Sequence, residues 1–188
     1  MCISLSARSM AATILALALI APLPASAGIF LQLGDLKGEA TDDNYRDWIE
    51  ILSVSESLTN STSVSIGGGG GAGKVQFGSL NLVKLLDLSS VDLRSNLAAG
   101  NHFDEAVIDV TRSGSGPGSR ESAFYFRLEL KNVVISSISL SADGISTPVE
   151  NVSLEFGEVK WIYQPQDSTG KPGSPVEAGW NVVNNKAQ

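Results

Sequence analysis

The run Ser65-Ile66-Gly67-Gly68-Gly69-Gly70-Gly71-Ala72-Gly73-Lys74 comes close to a phosphate-binding loop. That motif is G-x-x-x-x-G-K followed by Ser or Thr: backbone amides cradle the phosphates and the hydroxyl binds Mg²⁺. Gly68 to Lys74 supplies the first seven positions, but Val75 stands where the hydroxyl belongs. The glycines should also open a helix whose N-terminal amides face the phosphates, whereas "KVQFGSLNL" from Lys74 to Leu82 reads as a strand. The run is therefore not assigned to a nucleotide. Glycine, having no Cβ, can lie very close to another surface, but ordering it costs about 1–2 kcal/mol of backbone entropy per residue. Two readings stay open on spacing alone: a free hairpin tip, or a loop that orders only against a neighbouring subunit.

Other reactive residues are sparse. His102 is the only histidine and Cys2 the only cysteine, whereas a metal site takes several such ligands or clustered carboxylates. A Ser/His/Asp set would have His102 as its only base, and no G-x-S-x-G elbow points a serine at it. His102, beside Asn101 at the end of an expected helix, reads as a packing or capping residue. Asp42-Asp43 in "GEATDDNYRDW" reads as a solvated turn. No catalytic residue, metal ligand or cofactor is assigned, and the expectation is a protein that is not an enzyme.

The elements that carry these residues begin with a leader. Residues 1–27 hold Arg8, an apolar run from Met10 to Leu23, and the cleavage pattern Ala25-Ser26-Ala27. This predicts a secretory signal peptide removed after Ala27, leaving 28–188 as one domain in the periplasm or outside the cell. Cys2 leaves with the leader, so no disulfide is expected. The apolar run is short for a spanning helix, which takes about 20 residues, and no membrane insertion is expected after cleavage. A formal net charge of −7 without a Lys/Arg cluster argues against nucleic acid as a partner.

Hydrophobic alternation of period two dominates the remainder. In "SAFYFRLELK", Phe124, Phe126, Leu128 and Leu130 alternate with Tyr125, Arg127, Glu129 and Lys131, the pattern of an antiparallel strand with one buried face. "EAVIDVTR" repeats it with Ala106, Ile108 and Val110 inward, and "SGSGPGSRE" between them is a hairpin loop. In "NVSLEFGEVKWIYQPQ" the parity changes at Gly157, which predicts a bulge there. Further strands are expected at Ile29–Leu33, Trp48–Ser55, Lys74–Leu82 and Val133–Leu140. One helix is expected in "SSVDLRSNLAAG", with Ser89 or Ser90 as N-cap, Leu93 and Leu97 on one face and Gly100 as the stop. The stretch from Pro165 to Lys186 reads as turn-rich. The sum is an all-β chain, a flattened antiparallel β-barrel or two packed sheets with one short α-helix.

"IFLQLGDLKGEATDD", "GGGGGAGKV", "GNHFDEAVIDVTR", "ENVSLEFGEVKWIYQPQ" and "GWNVVNN" together, in this order along the domain, resemble the Hcp family, the tube proteins of type VI secretion systems. The resemblance implies a flattened barrel assembled as a homo-hexameric ring with a wide channel. It implies rings stacked into a tube, effector proteins held inside, and no catalytic residues. It places the family's extended loop at about Thr59–Gly73, and so implies that Ser65 to Lys74 form a contact between subunits or rings. Tube-building members generally lack a leader, so the leader here opens a second expectation: an exported Hcp-like binding module without a role in a secretion machine. Mass spectrometry of exported protein is expected to give Gly28 as the first residue; Met1 there would remove the leader.

Overall fold

The computed structural model describes residues 27–60, 74–112, 124–167 and 171–188. The leader up to residue 26, the run from Ser65 to Gly73 and the "SGSGPGSRE" loop lie outside the described residues. The elements run β1 (Ile29–Leu33), β2 (Ile49–Ile51), β3 (Ser53–Ser55), β4 (Leu58–Asn60), β5 (Val75–Phe77), β6 (Leu80–Leu85), α1 (Ser89–Ala99), β7 (His102–Thr111), β8 (Phe124–Ser141), β9 (Val149–Tyr163), β10 (Val176–Asn181) and β11 (Lys186–Ala187).

All pairing is antiparallel, and one circuit of pairs closes a barrel. β1 pairs with β7, β7 with β8, β8 with β9, and β9 with β6. The return from β6 to β1 is made by β3 and β2, consecutive pieces of one segment: β3 pairs with β6 and β2 with β1. The expected strand Trp48–Ser55 is thus divided at Leu52, whose N–H already donates to the Val83 carbonyl at 2.7 Å. The break is the physical cost of changing partners. Lys74–Leu82 divides likewise at Gly78-Ser79. β5 pairs with β4 in a separate two-stranded ribbon, and β6 returns to the barrel.

β8 continues through the expected Val133–Leu140 strand as one 18-residue element, and β9 has 15. The parity change in β9 is real, since Phe156 and Val159 both enter the core, but it is not a bulge. Lys131↔Glu158 and Val133↔Phe156 keep one register across it. Both strands turn together at facing residues: Asn132 adopts φ 54°, and a Cβ on Gly157 would sit 3.2 Å from that of Asn132. Glycine admits that approach, and the hairpin folds into a corner. Beyond the corner β9 trades its neighbour β6 for β10. The register does slip elsewhere, between Ile135 and Ser137.

A second slip, between Val110 and Thr111, pairs Thr111 with Phe124 and Val110 with Phe126. Phe124 is thereby moved to the face opposite Phe126, correcting the simple alternation. That outer face is not solvated here. Arg127 donates from Nε and a terminal nitrogen to the two Asp109 carboxylate oxygens at 2.6 and 2.8 Å, and its guanidinium lies 4.0 Å over the Phe124 ring. Phe30, opposite Asp109 in register, stacks on Tyr45 at 4.3 Å, and Ala40 and Trp48 complete this outer cluster. β10, not expected from the turn-rich C-terminal sequence, adds to the far edge of β9.

Inside the barrel, Leu33, Ile49, Leu80, Ile108, Leu130 and Leu154 are fully buried. α1 closes one end, with Leu93 buried and Leu97 packed on the core. Gly100 stops it in the left-handed conformation, φ 66°. Its N-terminus differs from expectation. Ser89 and Ser90 lie inside the first turn, and the Asp87 carboxylate accepts the Ser89 N–H at 2.9 Å while Ser90 Oγ accepts the Asp87 N–H at 3.0 Å. This reciprocal pair caps the helix from Asp87, two residues before Ser89.

Leu154→Ala is expected to lower unfolding free energy by about 2–5 kcal/mol, because the rigid wall cannot collapse into the void. At Gly38 a Cβ would lie 2.3 Å from the Trp48 carbonyl oxygen and 2.5 Å from Ile49 Cα. Backbone cannot yield as a side chain does, so Gly38→Ala should cost about 1–3 kcal/mol or more. Urea denaturation of residues 28–188 measures both.

Candidate functional site

The glycine run lies in the sequence between the paired strands β4 and β5. Of the expected contact residues, Ser65 to Gly73 lie outside the described residues, and Lys74 is exposed just before β5. The base of the ribbon is anchored. Phe77 meets Phe156 edge-on at 6.0 Å and stacks on Trp161 at 6.2 Å. Trp161 Nε1 in turn donates to both Glu56 carboxylate oxygens, at 3.0 and 3.1 Å. Burial raises the Glu56 pKa above its ordinary 4.5, and the indole hydrogen bond offsets that only in part. Thr59 and Asn60, by contrast, are exposed. The ribbon is rooted in the core and offers its far half to solvent.

A buried charge cluster lies under the N-terminus of α1. Lys84 and Glu150 face each other across β6 and β9 in the row beyond Leu82↔Val152, where the alternation points inward. Four acceptors surround Lys84 Nζ, Glu150 Oε2 at 2.9 Å, Asp87 Oδ1 at 2.7 Å, Ser90 Oγ at 3.0 Å and the Leu85 carbonyl at 2.8 Å, and share its three N–H groups. Ser90 Oγ donates to Glu150 Oε2 at 2.6 Å, and Arg94 pairs with Oε1. Burial works against the Glu150 charge, yet Ser90, Lys84 and Arg94 together hold its carboxyl below the ordinary 4.5. Helix and barrel are joined by these bonds.

Exposed apolar side chains collect at the two ends of the long hairpin. At the α1 end a cleft of about 230 Å³ is lined by Leu52, Leu85 and Leu86 with Glu39, Glu50, Asp87 and Thr147. Leu88 and Val91 stand exposed on the adjoining helix start. At the nearby hairpin tip Asp143 accepts the Ser146 and Ile145 N–H groups, both at 2.9 Å, which lower its carboxyl pKa to about 2, and Ile145 stands 94% exposed. At the other end of β9, Tyr163 and Val176 form an exposed directly paired couple.

His102 opens β7 rather than capping α1, and it is exposed. It borders an open groove of about 530 Å³ with Gln32, Asp35, Phe103, Asp104 and Glu105, where no serine or cysteine joins it. Asp42 behaves as a turn residue, its side chain accepting the Asn44 N–H at 2.9 Å. Among the described residues no group of three His, Cys, Asp or Glu side chains is placed to hold a metal.

The family model described as "Type VI secretion system effector, Hcp" matches residues 30–163. The chain belongs to the Hcp family. It is 36% identical over 159 residues to protein hcp1 of Pseudomonas aeruginosa, covering 84% of this chain and 96% of that one. Among solved structures, a type six secretion system protein superposes with TM-score 0.78 at 28% identity, covering 87% of this chain and 100% of that chain. The Hcp1 of Salmonella typhimurium superposes with TM-score 0.68 at 24% identity, over 87% and 100% of the two chains. The expected flattened barrel with one short helix is therefore the Hcp fold, and the chain is a type VI secretion protein of the tube/effector class. Glu56, Trp161, Lys84 and Glu150 of this Hcp protein escaped the sequence reading. The last two could have been found as charges at inward positions of two alternating strands.

A buried and a half-buried carboxylate should respond oppositely. Glu150→Gln leaves Lys84 with Asp87 as its one remaining counter-charge and takes the carboxylate partner from Arg94, and is expected to cost up to about 3–5 kcal/mol. Glu56→Gln keeps an acceptor for Trp161 and removes a half-buried charge, so at neutral pH it is expected to be close to neutral. For Glu150 the folded pKa lies below the unfolded one. Its contribution is then present above pH 4.5 and lost as pH falls through the depressed folded value. Urea midpoints measured between pH 3 and pH 7, roughly the span of carboxylate titration, should show this loss in the native chain and not in Glu150→Gln.

Proposed function

We propose that this Hcp protein acts by assembly: subunits join head to tail into hexameric rings, the rings stack into a tube, and the channel holds effector proteins. The observation that carries this reading is the pair of unlike apolar surfaces at opposite ends of the long hairpin, Leu52/Leu85/Leu86 with Ile145 at one and Tyr163/Val176 at the other. A contact between two different patches, repeated by rotation, closes a ring or extends as a stack. A single self-complementary patch would give a dimer instead. Contiguous exposed apolar surface is uncommon on a protein that works as a monomer. The six-fold number comes from the family.

In this proposal Ser65 to Lys74 form the contact between subunits or rings, with the anchored β4–β5 ribbon aiming a segment that has almost no side chains. The leader pattern in 1–27 supports a second reading, an exported ring former in the periplasm or outside the cell without a contractile machine. Both readings share the ring.

Light scattering on residues 28–188 at micromolar concentration is expected to give a mass near six subunits, and a single-subunit mass removes both ring readings. Leu85→Asp with Leu86→Asp should shift the mass to the monomer while the circular dichroism spectrum is kept. Replacing Gly69 and Gly70 with Trp should abolish stacked particles in electron micrographs; unchanged stacks would rule out the close-contact role of the run.

A further inference from the structure

The peptide bond that a leader peptidase would cut, Ala27–Gly28, adjoins the first barrel strand with no linker between them. Gly28 is bonded on both sides of its Cα. Its N–H, the nitrogen of that bond, donates to Thr111 Oγ1 at 2.8 Å, while its carbonyl accepts the Thr111 N–H at 2.9 Å and the hydroxyl at 3.1 Å. Thr111 is itself buried. The next residue, Ile29, is paired on both flanks, with Ile51 of β2 and Val110 of β7. Position 28 also crowds any side chain. A Cβ there would come within 2.8 Å of the Phe30 ring, which is buried and stacked on Tyr45.

We propose that folding of the barrel seals the Ala27–Gly28 bond, so that leader removal must come before folding. This rests on the leader reading of residues 1–27. In the cut, a water oxygen bonds to the Ala27 carbonyl carbon, the bond to the Gly28 nitrogen breaks, and the freed amine takes the proton. A peptidase must hold the chain on both sides of that bond as an extended strand, using its backbone donors and acceptors. From Gly28 onward those groups are already committed to β7 and β2. A chain that folds first keeps its leader and can be cut only through local opening of β1. The same contacts receive the product: the new Gly28 amine retains a donor for Thr111 Oγ1.

The test uses the full 188-residue chain in detergent micelles with a purified membrane signal peptidase. Chain diluted from urea directly onto the peptidase is compared with chain allowed to fold first, its folding verified by near-ultraviolet circular dichroism. The freshly diluted chain is expected to yield a Gly28 N-terminus by mass spectrometry at least about tenfold faster, since cleavage of the folded chain is limited by the population of the opened state. Thr111→Val removes both hydroxyl bonds to Gly28. It should speed cutting of the pre-folded chain and leave the freshly diluted chain unchanged. Equal rates for the two preparations would overturn the seal while leaving the leader intact. No cut at Ala27–Gly28 in either would overturn the leader, and the seal with it.

Discussion

The contact between Lys84 and Glu150 sets the terms for this end of the molecule. Two charges have been placed where the alternation of β6 and β9 demands leucine or valine, one row beyond Leu82 and Val152. Neither could remain there alone, because an uncompensated charge in a protein interior costs several kcal/mol. They are kept by a set of partners that only α1 can complete. Ser90 and Arg94 come from the helix and Asp87 from its cap. The helix thus docks as a set of hydrogen bonds with direction, not as an apolar stripe that could slide. Leu93 and Leu97 supply the burial beneath it, but leucines alone would tolerate rotation or a shift of one turn.

A second constraint acts along the strands. A barrel needs its longest strands to serve two walls, and β8 and β9 do so by bending together at Asn132 and Gly157. On one side of the corner β9 pairs with β6 and carries the charge cluster; on the other it pairs with β10 and carries Trp161, the root of the β4–β5 ribbon. The helix end and the ribbon are therefore fixed relative to each other through one hairpin. The closure at Leu52 does the same on the opposite wall, where one segment serves β1 and then β6.

Much of this was legible in the sequence, because alternation is a direct consequence of strand geometry. Ile29–Leu33, the inward leucines of β8 and the helix with its Gly100 stop follow from residue type and period. The losses have three physical sources. Strands that change partners, at Leu52 and at Gly78, look continuous because hydropathy records the face a residue points to and not the strand it pairs with. Outward charges such as Asp109 and Arg127 look solvated because the loop that covers them, with Tyr45 and Trp48, is distant in sequence. The helix start differs by two or three residues because Ser89 and Ser90 suit an N-cap as well as Asp87 does, and Ser90 is instead drawn to the buried Lys84 and Glu150. Family membership was legible through the order of several motifs. The glycine run taken alone says only that side chains are absent.

The closed circuit of strands changes the argument for association. An open sheet offers unpaired N–H and C=O groups along its whole rim, and any partner with a free strand could answer them. Here the barrel consumes most of those groups, and among the described residues the free edges belong to short pieces: the β4–β5 ribbon, β2, β3, the first half of β10 and β11. Backbone pairing can then occur at only a few places, each set by the scaffold. The rest of any contact has to be made by side chains on the barrel's ends. In the assembly proposed above, selectivity rests on where apolar residues break the alternation outward, at Leu52, Leu85 and Tyr163. A chain with one histidine and, among the described residues, no clustered metal ligands can carry a specific function on that basis, because the shape and placement of exposed leucine discriminate between partners.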